Sequence, residues 1–282
     1  MKTTSITAIL ILGLSHSVFA QLYTTTFTGG FDPAVFTEVN TFGPSIVLKN
    51  PDSSDGDDFL NYHTAGVTPA GFESVFLVYE GSAPATPTNA QDFTVLMSVT
   101  NFGNTLTSAT GSQAELGFAL NSTDLSSGFA FVNGAYSFSE GVGSSDAIFR
   151  FGAGALDFYQ PETFEFNASM TLAIEFIASS QTFFVSRALP GDTFDLIASL
   201  KIDGLGSSTF RNEVQDWGMN VGDSFDINIF AGSNVAIVNA DPGFGFMNAD
   251  NFSLNVVPEP SAYAAILGLV ALAGVLARRR RG

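Results

Sequence analysis

The chain has 282 residues, 45% hydrophobic and 13% charged, with 27 acidic against 10 basic residues and a net charge of −17. So acidic a surface repels phosphate backbones, which excludes a nucleic-acid binder. With no cysteine and two histidines, disulfides, thiolate metal sites, the usual zinc sites and cysteine nucleophiles are excluded as well.

At the N-terminus, Lys2 precedes an apolar core from Ile6 to Leu14, and Val18-Phe19-Ala20 places compact residues before Gln21. This layout predicts a secretory signal peptide over residues 1–20, removed ahead of Gln21. His16 leaves with it, so the exported chain keeps one histidine, His63.

Residues 21–256 form one domain large enough for a substantial core. Once the two terminal signals are set aside it retains five basic and 26 acidic residues, a net charge of about −21. Such a surface repels anionic lipid headgroups and attracts divalent cations.

The first feature of the domain is the cluster Asp52-Ser53-Ser54-Asp55-Gly56-Asp57-Asp58. Calcium takes several carboxylate and carbonyl oxygens at once, and a glycine lets a loop turn sharply enough to supply them. Asp52, Asp55, Asp57 and Asp58 are the expected ligands if the cluster holds calcium, the one cofactor it would suit. Their steps of three, two and one are not those of an EF-hand, and a solvated polar loop fits them better. His63, in Leu60-Asn61-Tyr62-His63-Thr64, has no Gly-x-Ser-x-Gly elbow to serve and reads as a surface or packing residue.

From there the pattern is that of strands. Phe72 to Tyr79, Asp92 to Val99, Ala114 to Leu120, Gly128 to Phe138, Thr171 to Ile177, Thr182 to Arg187, Thr193 to Ile202 and Ser224 to Phe230 are rich in Phe, Val, Ile and Thr, with Gly, Asn, Asp, Ser and Pro between them. In Leu172-Ala173-Ile174-Glu175-Phe176 the apolar residues share one face. A turn or two of helix is expected around Asn212 to Met219. The whole predicts an all-β fold, a two-sheet antiparallel β-sandwich. Its core rests on the 29 phenylalanines against a single tryptophan, Trp217; Phe129 and Phe131, for example, are spaced to point between the sheets. Isolated acids such as Glu115 and Glu175 are expected to face solvent. No Glu-x-Asp-x-Glu triplet marks a glycosidase strand.

The hairpins from Thr163 to Asp203 and the closing segment Asn248-Ala249-Asp250-Asn251-Phe252-Ser253-Leu254 resemble those of concanavalin-like and jelly-roll sandwiches. The resemblance implies a scaffold on which sugar binding is common.

The last 26 residues have three parts in order: Val257-Pro258-Glu259-Pro260, an uncharged run from Ser261 to Ala277, and Arg278, Arg279, Arg280 and Arg281. The prolines end the domain, the run is roughly 25 Å long as a helix, and the arginines stop translocation. A bilayer core is roughly 30 Å thick, so the span is marginal. In order and residues this tail resembles the PEP-CTERM sorting signal of Gram-negative bacteria that make exopolysaccharide. The resemblance implies recognition of Pro258, Glu259 and Pro260 by an exosortase, with transfer or release at the cell surface; a permanent single-span anchor is the alternative.

Together these features predict an exported, non-enzymatic surface or exopolysaccharide-matrix protein with weak polysaccharide binding. The alternatives are a secreted polysaccharide hydrolase or lyase on the same scaffold, or a permanently anchored surface protein.

Overall fold

The computed structural model describes residues 21–27, 31–42, 46–49, 60–64, 72–81, 85–101, 113–124, 126–139, 142–151, 157–159, 169–234 and 247–257. Within them the chain forms β1 (Gln21–Thr25), β2 (Phe36–Phe42), β3 (Ile46–Lys49), β4 (Leu60–Thr64), β5 (Glu73–Tyr79), β6 (Phe93–Asn101), β7 (Gln113–Ser122) and β8 (Gly128–Ser139). It continues with β9 (Val142–Phe151), β10 (Asp157–Tyr159), β11 (Ser169–Ile177), β12 (Thr182–Ala188), β13 (Asp195–Lys201), β14 (Asn212–Val214), β15 (Phe225–Ser233) and β16 (Met247–Val256). All eight strands expected from Phe72 to Phe230 are present, as is the closing strand.

Period-two alternation explains why these strands build two sheets with one core. In β7, Ala114, Leu116, Phe118 and Leu120 join the core shared with the opposite sheet, and in β11 Leu172, Ile174 and Phe176 do so while Glu175 is exposed. A nine-stranded sheet runs β14-β13-β12-β11-β6-β16-β4-β3, with β1 also on β16; a seven-stranded sheet runs β10-β9-β8-β7-β15-β5-β2. Pairing is antiparallel except between β13 and β14. The fold is the predicted two-sheet β-sandwich.

β16 is the hub of the larger sheet. One edge pairs with β6, and the other is shared by β4, against Met247 to Ala249, and β1, against Phe252 to Val256. The two partners are separated by a bulge where Asn251 takes a left-handed φ of 52° and its N–H donates to Asp250 Oδ1. Gln21, the expected first residue of the exported chain, lies directly opposite Val256. Both ends of the domain therefore leave from one pole of the sandwich.

Phenylalanine fills the interior in two groups. Phe183 stands 4.6 Å from Phe176, 5.1 Å from Phe129, 5.2 Å from Phe225 and 5.8 Å from Trp217, centroid to centroid. Around β1 and β16, Tyr23, Phe27, Phe36, Tyr79 and Phe252 make a second group. Burial, with Tyr23 alongside, pushes the Tyr79 hydroxyl up to about 12. It therefore stays neutral at every ordinary pH.

The helical turn expected around Asn212 to Met219 is absent. Its backbone is committed sideways: Gln215 N–H donates to Lys201 O, Trp217 N–H to Ile202 O, and Gly204 N–H to Gln215 O. Those bonds extend the sheet beyond β13 and leave no groups for an i to i−4 ladder.

Phe183→Ala removes the ring at the centre of the larger aromatic group and should cost about 3–5 kcal/mol. Urea unfolding of the exported domain measures this as a lower midpoint with an unchanged slope.

Candidate functional site

The loops at the pole where the chain ends leave are tied together by one side chain. Asn89, between Pro87 and β6, is buried; its Nδ2 donates to Asn220 O at 2.9 Å and its Oδ1 accepts from Gly222 N–H at 2.7 Å. Its own N–H donates to Asp223 O, and its carbonyl accepts from Gln181 Nε2 at 2.7 Å. Four polar groups of one residue thus hold the loop before β6, the loop before β15 and the turn between β11 and β12.

Between the loop before β15 and the turn after β7 lies an open recess of about 560 Å³. Its floor includes Trp217, only 5% exposed, whose Nε1 donates to Gln215 Oε1 at 3.1 Å; its rim includes Thr123, Asp124, Asn220 and Asp223. Thr123 Oγ1 donates to Ser224 O at 2.6 Å and joins the two walls. Asp124 Oδ1 accepts from Ser122 Oγ at 2.6 Å, Ser126 Oγ at 2.8 Å and Ser126 N–H at 3.0 Å. These hydrogen bonds, the Ser122 hydroxyl first, hold the Asp124 carboxyl below its ordinary range. Asp223 Oδ2 accepts from Asn220 N–H at 2.7 Å, which folds the loop on itself and leaves Val221 at its tip. The rim offers acceptors, amide groups and a hydroxyl at ambient pH. Such groups suit a neutral hydroxyl-rich ligand; Trp217 is too buried to serve as a stacking platform.

The outer face of the seven-stranded sheet is the other place where a sandwich presents chemistry. Glu115, expected to face solvent, is instead 0% exposed there. It pairs with Gly134 of β8 on one side and Gly232 of β15 on the other, and Asp146 of β9 is the next register position beyond Gly134. Gly232 is required because a Cβ would lie 2.4 Å from the Phe72 ring and 2.8 Å from that of Phe230. Phe230, Val132, Ile148 and Ala119 form a second buried cluster on this face, with Phe76 and Ala130 packed against it. The rings of Phe72 and Phe230 crowd over the glycine beside the acid, which alternation alone does not reveal. Asp226, on the same face, pairs with Asn121, six residues along from the position opposite Glu115. Six residues of strand span about 20 Å, well beyond the roughly 5–9.5 Å between glycosidase carboxylates.

Asp52, Asp55, Asp57 and Asp58 lie outside the described residues, as do Pro258, Glu259, Pro260, Arg278, Arg279, Arg280, Arg281 and the segments 1–20 and 261–277. Among the described residues no group of three or more His, Cys, Asp or Glu is placed to hold a metal ion, and no helix is long and apolar enough to cross a membrane. His63 sits in β4 opposite Val47. The recess itself was not anticipated; its signal is the density of Asn, Asp and Gly from Gly218 to Asp223.

Comparison with known proteins bears on both parts of the chain. Residues 256–281 match the model of the PEP-CTERM protein-sorting motif. The tail is a PEP-CTERM sorting signal. Such a signal marks an exported protein that is anchored in a membrane before an exosortase processes it. No curated protein matches the chain. Among solved structures the domain is similar to an endo-1,3-beta-glucanase from Streptomyces sioyaensis, with TM-score 0.51 and 11% identity over 85% of this chain and 97% of that one. It is also similar to peanut lectin, with TM-score 0.47 and 11% identity over 84% and 97% of the two chains. At such identities the likeness shows the concanavalin-like sandwich fold alone.

Asn89→Ala removes two side-chain hydrogen bonds and should cost about 1–3 kcal/mol. Hydrogen exchange should show the Gly222 amide losing protection while β6 and β15 keep theirs. Burial raises the Asp226 pKa, so its charged form opposes folding. That penalty is absent below the unfolded-state pKa of about 3.9 and complete above the raised folded value. Asp226→Asn should therefore raise Tm at pH 7 and leave it unchanged at pH 3.

Proposed function

We propose that the protein is a non-enzymatic component of the cell surface or exopolysaccharide matrix, delivered by its PEP-CTERM signal, whose domain holds neutral polysaccharide weakly through the polar recess at its pole. The observation that carries this reading is the junction itself, a concanavalin-like sandwich whose last strand ends at Val256 where the sorting signal begins. Weak single contacts suit a protein displayed in many copies, because linked sites convert modest affinities into avidity.

The full burial of Glu115, the crowding of the neighbouring Gly232 by Phe72 and Phe230, and the distance of Glu115 from Asp226 support the non-enzymatic reading over a hydrolase. Calcium, if it assists, is assigned to Asp52, Asp55, Asp57 and Asp58.

Intact mass and fractionation in the native host test the route. The released fraction should hold a chain starting at Gln21 and ending between Pro258 and Ser261; an untrimmed chain confined to the inner membrane would refute processing and leave a static anchor. Incubation of residues 21–257 with the host's exopolysaccharide tests the role. Retention without new reducing ends is expected, release of reducing ends or unsaturated products would establish the enzyme, and absence of retention would remove the sugar.

A further inference from the structure

The tail departs from a defined point on the fold. Val257 N–H donates to Asp92 O at 2.8 Å, and Asp92 Oδ1 accepts from Ala178 N–H at 2.8 Å, so the chain is fixed to the pole up to its last described residue. Four residue steps separate Val257 from Ser261, where the apolar run starts. They reach at most about 14 Å. Headgroups occupy roughly 5–8 Å on each side of the hydrocarbon. A folded domain on so short a lead, stiffened by Pro258 and Pro260, has no room to swing its opposite pole toward the bilayer.

The pole nearest the tail presents exposed apolar side chains. Val221, at the tip of the loop that Asn89 ties down, is 91% exposed, and Leu205, whose carbonyl accepts from Lys201 Nζ, is 67% exposed. The same pole carries Asp92, Asp124, Asp216 and Asp223, so anionic headgroups repel it and the free domain has little affinity for lipid of its own. Contact must be imposed by the tether.

We infer that, while the tail is attached, this pole is held against the lipid headgroups with Val221 and Leu205 at the surface, and that the recess bordered by Asp124 and Asp223 faces the bilayer until the tail is cut. The inference rests on the tail as a membrane segment and is independent of sugar binding. It makes removal of the tail the step that uncovers the recess.

The cysteine-free chain allows a direct test. Residues 21–282 carrying Val221→Cys, Leu205→Cys or Phe194→Cys are labelled with an environment-sensitive fluorophore and placed in phosphatidylcholine nanodiscs. Phe194 is the control, 49% exposed at the opposite end of β13. Labels at 221 and 205 should be blue-shifted and severalfold less quenched by neutral acrylamide than the label at 194. The difference should vanish for residues 21–257 mixed with the same discs, and for the full chain with a 20-residue Gly/Ser linker inserted after Val257. Equal quenching at 221 and 194 in the disc-bound chain would overturn the inference, as would protection that survives the linker. A chain that fails to enter the discs would overturn the membrane tail itself, a result distinguishable from the first two.

Discussion

The structure depends on β16 being both the last strand of the chain and an interior strand of its sheet. Interior strands need partners for backbone groups on both edges, and β16 supplies them to β6 on one side and to β4 and β1 on the other. A chain that crosses a membrane N-terminus first therefore cannot complete the larger sheet until residues 247–256 have emerged. β1, the first strand of the domain, waits for a partner about 230 residues later, which makes the closing contact among the most non-local in the domain. The sorting signal begins at that closing strand. The strand that closes the sandwich and the sorting motif are thus adjacent in the chain.

With no cysteine and few cations, stability must come from packing. Among the described residues the ten largest fully buried side chains are all phenylalanines, and edge-to-face contacts tie strands of opposite sheets together; Phe129 of the seven-stranded sheet, 5.1 Å from Phe183 of the nine-stranded one, is an example. Outside, the nine-stranded sheet is laced by neutral hydroxyl pairs, Thr100 Oγ1 with Ser169 Oγ at 3.0 Å and Ser98 Oγ with Thr171 Oγ1 at 3.4 Å. Cross-strand bonds of this kind bring no further charge to a domain already near −21, where self-repulsion opposes compaction.

Strands with strict alternation were legible from the sequence, because a half-buried strand writes its burial into every second residue. Leu172, Ile174 and Phe176 against Glu175 are such a case, and the C-terminal sorting signal was legible for the different reason that it is linear and requires no partner. β9 was missed because Val142-Gly143-Ser144-Ser145-Asp146 is polar and small; it is a strand only because β8 supplies its bonds. β14 read as helical since its short sequence has no period of its own, and lateral bonds to β13 decide its backbone. Glu115 read as exposed for a related reason. Alternation tells which face a residue is on, but not that Phe72 and Phe230 crowd over the neighbouring Gly232. The recess was hidden because its walls, Ser122 to Asp124 and Trp217 to Ser224, are about a hundred residues apart and meet only through the antiparallel pairing of β7 and β15.

That packing also bears on what kind of surface the domain has available. A sandwich of this class can present an outer sheet face or the loops at a pole, and here the two differ sharply. The seven-stranded sheet places Glu115 between Gly134 and Gly232, and the space a Cβ would fill at Gly232 is taken up by the rings of Phe72 and Phe230. Polar groups with freedom to meet a ligand gather instead on the loops at the tail-bearing pole, where Asn89 fixes the backbone and the side chains of Asp124, Asn220 and Asp223 form the rim. A contact surface made of short loops next to the point of attachment depends on how the domain is tethered in a way that a sheet face on the flank does not. The point where the tail leaves and the polar recess are therefore neighbours on the fold, through the few residues that join Asp92, Val257 and the loop of Val221.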